Sequence, residues 1–232
     1  MAASFFVRLF SALMIFCFSG AAYAEEISAD ISKAAEIQKR ISNTGFKLLN
    51  ANKIDKRMIF VYSKDEDKPK FIDKSIIKKE AVIFDRKLAF VSDDNELAAL
   101  LSLGIGKTIN SYTGFFTAIQ AKLAPKKFEI LFDKKAVDFM TKAGYNPIAL
   151  ITYMNKAFPQ KRGIIGCLRS NAVSKREANI YEYIYTNYPY YLKNNPYFYT
   201  EAYQNFLLTS AANRAMLINK IESGSTKTLK YE

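Results

Sequence analysis

The sequence predicts a mainly helical α+β fold, with an N-terminal helix, a small β-sheet near it and additional helices up to the C-terminus. Apolar residues recur at intervals of three and four over 26–43, which predicts an amphipathic helix that ends at Asn43-Thr44-Gly45. Short apolar runs between polar turns follow as far as Val91, and helical periodicity then continues to about residue 221. A helix, a few strands and then many helices are typical of an α+β domain.

Four short apolar runs predict the strands of the small sheet: 46–49, 58–62, 81–84 and 88–91. Asp85-Arg86-Lys87 separates the last two runs and suggests a hairpin, although it lacks the glycine of the favoured two-residue turns. Beyond Ser92, prolines and glycines separate predicted helices at 94–111, 114–123, 127–143, 147–157, 174–187 and 198–221.

The first residues predict a signal peptide. One early charge, Arg8, precedes an apolar run from Leu9 to Phe18, and small residues then end in Ala22-Tyr23-Ala24. This order is typical of a secretory signal that is cleaved after residue 24, so we expect export to the periplasm or cell envelope. Full secretion and an uncleaved anchor are the alternatives.

The charge balance limits the classes of partner. The chain carries a formal charge of +12, and loss of Arg8 with residues 1–24 leaves +11. The lysines are scattered, which favours solubility and weak attraction to anionic envelope surfaces, and no nucleic-acid-binding module accompanies them. The one cysteine beyond residue 24, Cys167, cannot form an internal disulfide, so the core alone must hold the fold.

The chain contains no histidine, and this excludes the usual serine or cysteine catalytic triads. The run 104–108, Gly-Ile-Gly-Lys-Thr, is similar to the end of a phosphate-binding loop. However, Leu101 stands where that loop needs its first glycine, and helical residues precede the run instead of a strand.

Two segments resemble a known enzyme family. Glu96-Leu97-Ala98-Ala99-Leu100-Leu101 is followed by Ile105-Gly106, and the second segment, 133–147, ends in Ala-Gly-Tyr-Asn-Pro. Together they resemble the HtpX/BepA-like zinc metallopeptidases (peptidase family forty-eight) over about 27–187. The resemblance implies a zincin-like domain at 25–187, and the residues beyond it predict a Tyr-rich helical extension at 188–222 and a flexible tail at 223–232.

In this family a helix carries two histidines one turn apart, which bind zinc, and a glutamate that acts as general base. Those three positions fall on Leu103, Gly104 and Lys107, and the third ligand, a glutamate, falls on Leu131. We therefore expect no catalytic residue and no metal ligand, and no cofactor, although the resemblance itself implies zinc.

The positions nearby carry further expectations. Glu129 is a substitute ligand two residues before Leu131, but it should point about 200° away around the helix. Leu103 and Leu131 should replace the polar site with apolar packing, and Lys107 should pair with Asp133 or Glu129. A later family histidine would fall near Asn171. The residues of the family pattern that this chain retains are Glu96, Asp133, Gly144, Tyr145 and Pro147.

The sequence thus predicts a pseudopeptidase that binds a protein or an extended peptide, either alone or beside an active paralogue. The resemblance implies edge-strand pairing as the mode of peptide binding. A divergent active hydrolase whose site is built from Lys107, Glu129, Asp133 and the Tyr-rich helices is one alternative, and a basic structural protein of the envelope is another. Nine tyrosines between Tyr181 and Tyr203 should mostly pack between helices, with their hydroxyls in solvent.

Overall fold

The structure, a computed structural model, is mostly helical and describes residues 31–56, 58–64, 80–110, 124–158 and 171–231. Two compact units divide the chain, Met1–Arg40 and Ile41–Glu232. In the first unit the described residues, 31–40, are helical. Both strands and all later helices belong to the second unit. The predicted signal peptide, the helix predicted at 114–123 and Cys167 lie outside the described residues.

The N-terminal helix is longer than predicted. Helix α1 comprises residues 31–51, so the predicted end at Asn43-Thr44-Gly45 is wrong, and 46–49 is helical and not a strand. Leu48 and Leu49 are buried and extend the three-and-four spacing that begins before Gly45. The Phe60 ring packs against Gly45 in this helix and leaves no room for a side chain, since a Cβ there would lie 2.4 Å from the ring.

Two strands pair in parallel, β1 (Ile59–Ser63) and β2 (Glu80–Phe84), with Ile59 opposite Glu80. The predicted hairpin between 81–84 and 88–91 is wrong, because a short helix, α2 (Asp85–Leu88), follows β2 directly. The Ala89 amide donates to the Asp85 carbonyl at 3.0 Å. A tight hairpin needs residues that accept positive φ, and the link between the two runs offers none.

The remaining helices follow the predicted order, with one division. They are α3 (Asp94–Asn110), α4 (Pro125–Lys142), α5 (Ile148–Ala157), α6 (Val173–Asn187), α7 (Glu201–Thr209) and α8 (Ala211–Glu222). The segment predicted as one helix, 198–221, contains the end of a 3-10 turn and then α7 and α8. Thr200 begins α7 by accepting from the Tyr203 amide, and the Ser210 hydroxyl donates to the Phe206 carbonyl where α7 ends.

The core surrounds α5. Eight of its ten residues are buried, all except Asn155 and Lys156, and a helix that is apolar on nearly every side belongs in a core. Helices α3, α6 and α7 pack against it, and α4, which packs on α3 and α6, contributes Ala136, Val137 and Met140 to the same core. Tyr203 and Phe206 of the predicted Tyr-rich extension belong to the same core.

The C-terminal residues are not all at the surface. Tyr231, in the segment predicted to be a flexible tail, is only 2% exposed. None of the helices within the described ranges has the length and apolar character needed to cross a membrane.

Candidate functional site

The three positions that the sequence assigns to a former metal site lie in different environments along α3. Leu103 is 5% exposed and belongs to the core around α5. Gly104 is half-buried, and a Cβ at this position would meet nothing within 4 Å. Lys107 is exposed on the last turn. The run 104–108, whose sequence is similar to the end of a phosphate-binding loop, lies inside α3. It therefore cannot form such a loop after a strand.

Leu131 does not face this region as predicted. Its side chain is 43% exposed, so the expectation that it packs against Leu103 in place of a polar site is wrong. The physical reason is its position on α4. Glu129 and Asp133 are four residues apart and share a face, and Leu131, midway between them, points about 160–200° away.

The shared face of Glu129 and Asp133 meets α6 and the residues just before it. Asn171, where the resemblance places a later histidine, donates from its backbone amide to Glu129 Oε2 at 2.8 Å. Its side-chain amide donates to the Lys126 carbonyl at 2.7 Å and to Glu129 Oε2 at 3.2 Å. The structure therefore brings Asn171 and Glu129 together.

Asp133 forms a buried two-pronged ion pair with Arg176 of α6. Arg176 Nε donates to Asp133 Oδ2 at 2.8 Å and its Nη2 donates to Oδ1 at 2.6 Å, and the residues are 7% and 0% exposed. Burial would lower the pKa of the guanidinium, but the hydrogen bonds and charge of Asp133 outweigh it and the pKa of Arg176 is raised. The planar fork of arginine matches a carboxylate in this geometry.

Lys107 does not pair with Asp133, one of the two partners predicted for it, because Arg176 already satisfies both carboxylate oxygens. Although Lys107 is exposed as a whole residue, partial burial of its side chain lowers the pKa of the ammonium, and the positive charge of Arg176 lowers it further. Asp133 and Glu129 act in the opposite direction through space. Sequence reasoning missed Arg176, which lies in α6, more than forty residues beyond Asp133.

These residues do not fit zinc. Zinc in proteins takes nitrogen, sulfur or oxygen ligands, usually four in a tetrahedron. Here Leu103 offers only carbon, Leu131 faces solvent, and Arg176 occupies both oxygens of Asp133. Within the described residues no three side chains of His, Cys, Asp or Glu are grouped so that they could hold a metal ion.

Glu96, which the resemblance matches to the family pattern, has a structural role at the start of α3. It is 2% exposed and accepts from the Ser92 amide at 2.7 Å, from the Thr152 hydroxyl at 2.7 Å and from the Lys156 ammonium at 2.5 Å. Asp93 caps the helix by accepting from the Glu96 amide at 2.9 Å, while the Glu96 side chain reaches back to the residue before this cap. The contacts of Glu96 with Thr152 and Lys156 join α3 to α5.

Gly144, Tyr145 and Pro147, which the resemblance also matches to the family pattern, form the turn between α4 and α5. Gly144 has a φ of +76°, a value that favours glycine, and the Tyr145 amide donates back to the Met140 carbonyl at 2.9 Å. The Tyr145 ring lies under the Lys47 ammonium at 4.3 Å. Pro147 immediately precedes α5, and the Asn146 side chain accepts from the Ile148 amide. This pattern therefore stops one helix and starts the next.

A second buried carboxyl, Glu177, lies beside Arg176, and its burial was also not predicted from the sequence. It is 1% exposed, and the Asn155 amide donates to it at 3.4 Å. Burial raises the pKa of Glu177 to about 7, against the smaller opposing effects of Asn155 and Arg176. The group therefore changes its charge near neutral pH.

A polar cleft of about 420 Å³ opens at the other end of α3. Its lining combines carboxylates, one ammonium, amides and a phenol ring, with Ser92, Asp93, Glu96, Asn155, Lys156, Tyr197, Thr200, Glu201, Ala202 and Asn205. Asn155 and Lys156 are the two residues of α5 that the core does not bury. That interruption of an apolar helix is the signal by which the sequence could have located the cleft.

The tyrosines divide into packed and exposed groups. Tyr183 and Tyr188 do not send their hydroxyls into solvent as predicted, because both donate to Asp138, at 2.9 and 2.7 Å. Tyr190 and Tyr199 are 79% and 88% exposed. The exposed pair lies on two 3-10 turns, Pro189–Leu192 and Pro196–Tyr199, and the second turn borders the cleft.

Comparison of the chain with family models, with characterised proteins and with solved structures finds no significant match. The likeness to the peptidase family therefore rests on the two sequence segments alone.

Proposed function

We propose that this protein is a zinc-free, non-catalytic relative of the HtpX/BepA-like peptidases that acts in the periplasm or cell envelope. Its activity is to bind a protein or an extended peptide, alone or beside an active paralogue. The observation that carries the proposal is the Asp133–Arg176 ion pair. A guanidinium lies against the one acidic residue of the family's zinc-binding triplet that this chain retains, so an internal cation takes the place of an external one.

Two further observations support this reading. Leu103 is a core residue that stands where the resemblance places a metal ligand. Its buried side chain stabilises the fold by about 25 cal/mol for each Å² of apolar surface removed from water. The retained residues Glu96, Gly144 and Pro147 maintain the helix ends and not a reaction centre. Selection on such a chain would preserve the shape of the scaffold and whatever it binds.

The metal part of the proposal is tested on the purified protein. We expect elemental analysis to find substoichiometric zinc, and EDTA to leave the melting temperature unchanged, because a metal that binds the native state raises its stability. Labelled, unfolded β-casein should bind without being cleaved. Stoichiometric zinc together with chelator-sensitive cleavage would instead establish an active hydrolase.

A second experiment tests the assignment of the former ligands. Introducing Leu103→His, Gly104→Glu and Lys107→His restores the helix motif, and adding Leu131→Glu supplies the third ligand that the resemblance assigns. Because Leu131 faces solvent, we expect the fourth change to add nothing to zinc affinity. A tenfold gain from Leu131→Glu would show that the structural placement of α4 is wrong.

Binding itself separates the proposal from the structural-protein alternative. A protein that acts by binding polypeptides should retain unfolded β-casein at physiological salt. A basic envelope protein would instead bind anionic polymers with a steep loss of affinity as salt rises, because exposed charges are screened over about 8 Å at physiological ionic strength.

A further inference from the structure

The polar cleft has a charge opposite to that of the whole protein. Three carboxylates line it, Asp93, Glu96 and Glu201, against one ammonium, Lys156, so the local formal charge is −2 (three negative, one positive). The chain as a whole carries +12. A concave surface with low-dielectric walls concentrates the field of its own charges, and a cation is therefore favoured there.

Some of these charges are already satisfied. Lys156 donates to Glu96 and to the Ser92 hydroxyl, and Asp93 accepts from the Tyr197 hydroxyl at 2.5 Å. Glu201, by contrast, forms no side-chain hydrogen bond or ion pair with the part of the chain that the structure describes, and neither does Asn205. These two residues lie one turn apart on α7, on one face, and both line the cleft.

The start of α7 does not provide an anion site that would compete with this preference. The Thr200 hydroxyl accepts from the Tyr203 amide at 3.3 Å, which caps the helix. Glu201 itself supplies negative charge in the first turn. The remaining open acceptors of the cleft therefore suit a donor group of positive charge.

We propose that this cleft binds the cationic side chain, arginine or lysine, of an extended polypeptide. The inference rests on the proposed function in that it takes the ligand to be a polypeptide. Glu201 and Asn205 would receive the guanidinium or ammonium group as acceptors. A volume of about 420 Å³ lies within the usual size range of binding pockets.

The site lies apart from the former metal position. Glu96 is on the first turn of α3 and Lys107 on the last, which separates them by about 16 Å along the helix axis. Binding in the cleft therefore does not need the α3–α4 face on which the resemblance places catalysis.

The test is fluorescence anisotropy with capped, labelled peptides of glycine and serine that carry one central arginine, lysine or glutamate. We expect the arginine and lysine peptides to bind more tightly than the glutamate peptide. A protein of charge +12 attracts the acidic peptide in bulk, so tighter binding of a basic peptide reports a local site. Equal or tighter binding of the glutamate peptide would overturn the inference.

Three variants place the binding in the cleft. Glu201→Gln should weaken arginine-peptide binding about fivefold, and Asn205→Asp should strengthen it because it adds a carboxylate on the same face. Glu222→Gln, an exposed glutamate on α8, is the control and should change nothing. Because Asn205→Asp is expected to raise affinity, loss of fold cannot imitate it.

The outcomes separate this inference from the proposed function. If Glu201→Gln and Glu222→Gln bind the arginine peptide equally, the cleft assignment is wrong, while β-casein binding still supports a peptide-binding protein. If the protein binds stoichiometric zinc and cleaves β-casein, the non-catalytic function is wrong. The preference of the cleft for arginine is then still decided by the peptide-binding measurements with the cleft variants.

Discussion

Replacing Arg176 by methionine removes the charge and retains an unbranched side chain in the same volume. It leaves Asp133, which is 0% exposed, without its two hydrogen bonds of 2.8 and 2.6 Å. At an effective dielectric constant of about 20, two unit charges about 3 Å apart attract by roughly 5 kcal/mol. Desolvation of the two ions costs several kcal/mol each.

Because attraction and desolvation nearly offset each other, the intact pair contributes little, and the large cost arises when one partner is lost. We expect Arg176→Met to lower the free energy of unfolding by about 3–5 kcal/mol, a large share of the 5–15 kcal/mol typical of natural proteins. The double variant Asp133→Leu/Arg176→Met should return to within about 1–2 kcal/mol of the wild type, because neither charge is then left alone.

The assay is urea denaturation followed by far-UV circular dichroism, with the slope of the transition checked for each variant. Lys220→Met is the matched control. It removes a pair with Glu182, joined at 2.8 Å, whose side chains are 23% and 18% exposed, and it should cost no more than about 1 kcal/mol.

The pH provides a second measurement. Burial raises the pKa of the Asp133 carboxyl, and without Arg176 that carboxyl takes up a proton as the pH falls. The loss of stability in Arg176→Met should therefore become smaller toward pH 4. A loss below about 1 kcal/mol in the single variant, or a double variant as unstable as the sum of the singles, would refute the reasoning.

Gly45→Ala should cost about 1–3 kcal/mol in chemical denaturation, because its Cβ would lie 2.4 Å from the Phe60 ring. Gly104→Ala, where nothing lies within 4 Å of the new Cβ, should instead be neutral or stabilise α3 by about 0.5–1 kcal/mol; equal effects would show that helix propensity alone decides both. Burial raises the pKa of Glu177 from 4.5 to about 7, so the folded state holds its proton more tightly than the unfolded state. The contribution of Glu177 to the free energy of unfolding is therefore complete below about pH 4.5. It decreases by at most about 3 kcal/mol as the pH rises through 7. Glu177→Gln should remove this part of the pH dependence, and an unchanged pH profile of unfolding would contradict it.

The helical periodicity located most of the described helices, including the start of α3 at residue 94. Acidic residues such as Asp94 and Glu96 favour the first turn of a helix, and the Ala-Gly-Tyr-Asn-Pro run forms a turn through hydrogen bonds to nearby residues. Both features act within a few residues, so the local sequence is enough to predict these helix ends. The small sheet was harder to predict. The run 46–49 is helical and buries Leu48 and Leu49, and its short apolar pattern suits a strand as well as a helix, so local sequence does not choose between them.

For the candidate site too, local features were predicted and features set by packing were not. The sequence showed that Leu103, Gly104 and Lys107 cannot supply zinc ligands, since that depends only on which atoms their side chains carry. It did not show that Leu131 faces solvent, because helix rotation relative to neighbouring helices is fixed by packing across the whole domain.

By itself, the sequence determined a mainly helical chain, a basic surface and the absence of histidine chemistry, because each follows from composition or from periodicity along one segment. Only the tertiary structure decided that Arg176 pairs with Asp133 and that Glu201 joins Glu96 and Lys156 around one cleft. Those residues come from helices far apart along the chain. Burial and electrostatic pairing act through space, and the packing of the helices sets the distances that matter.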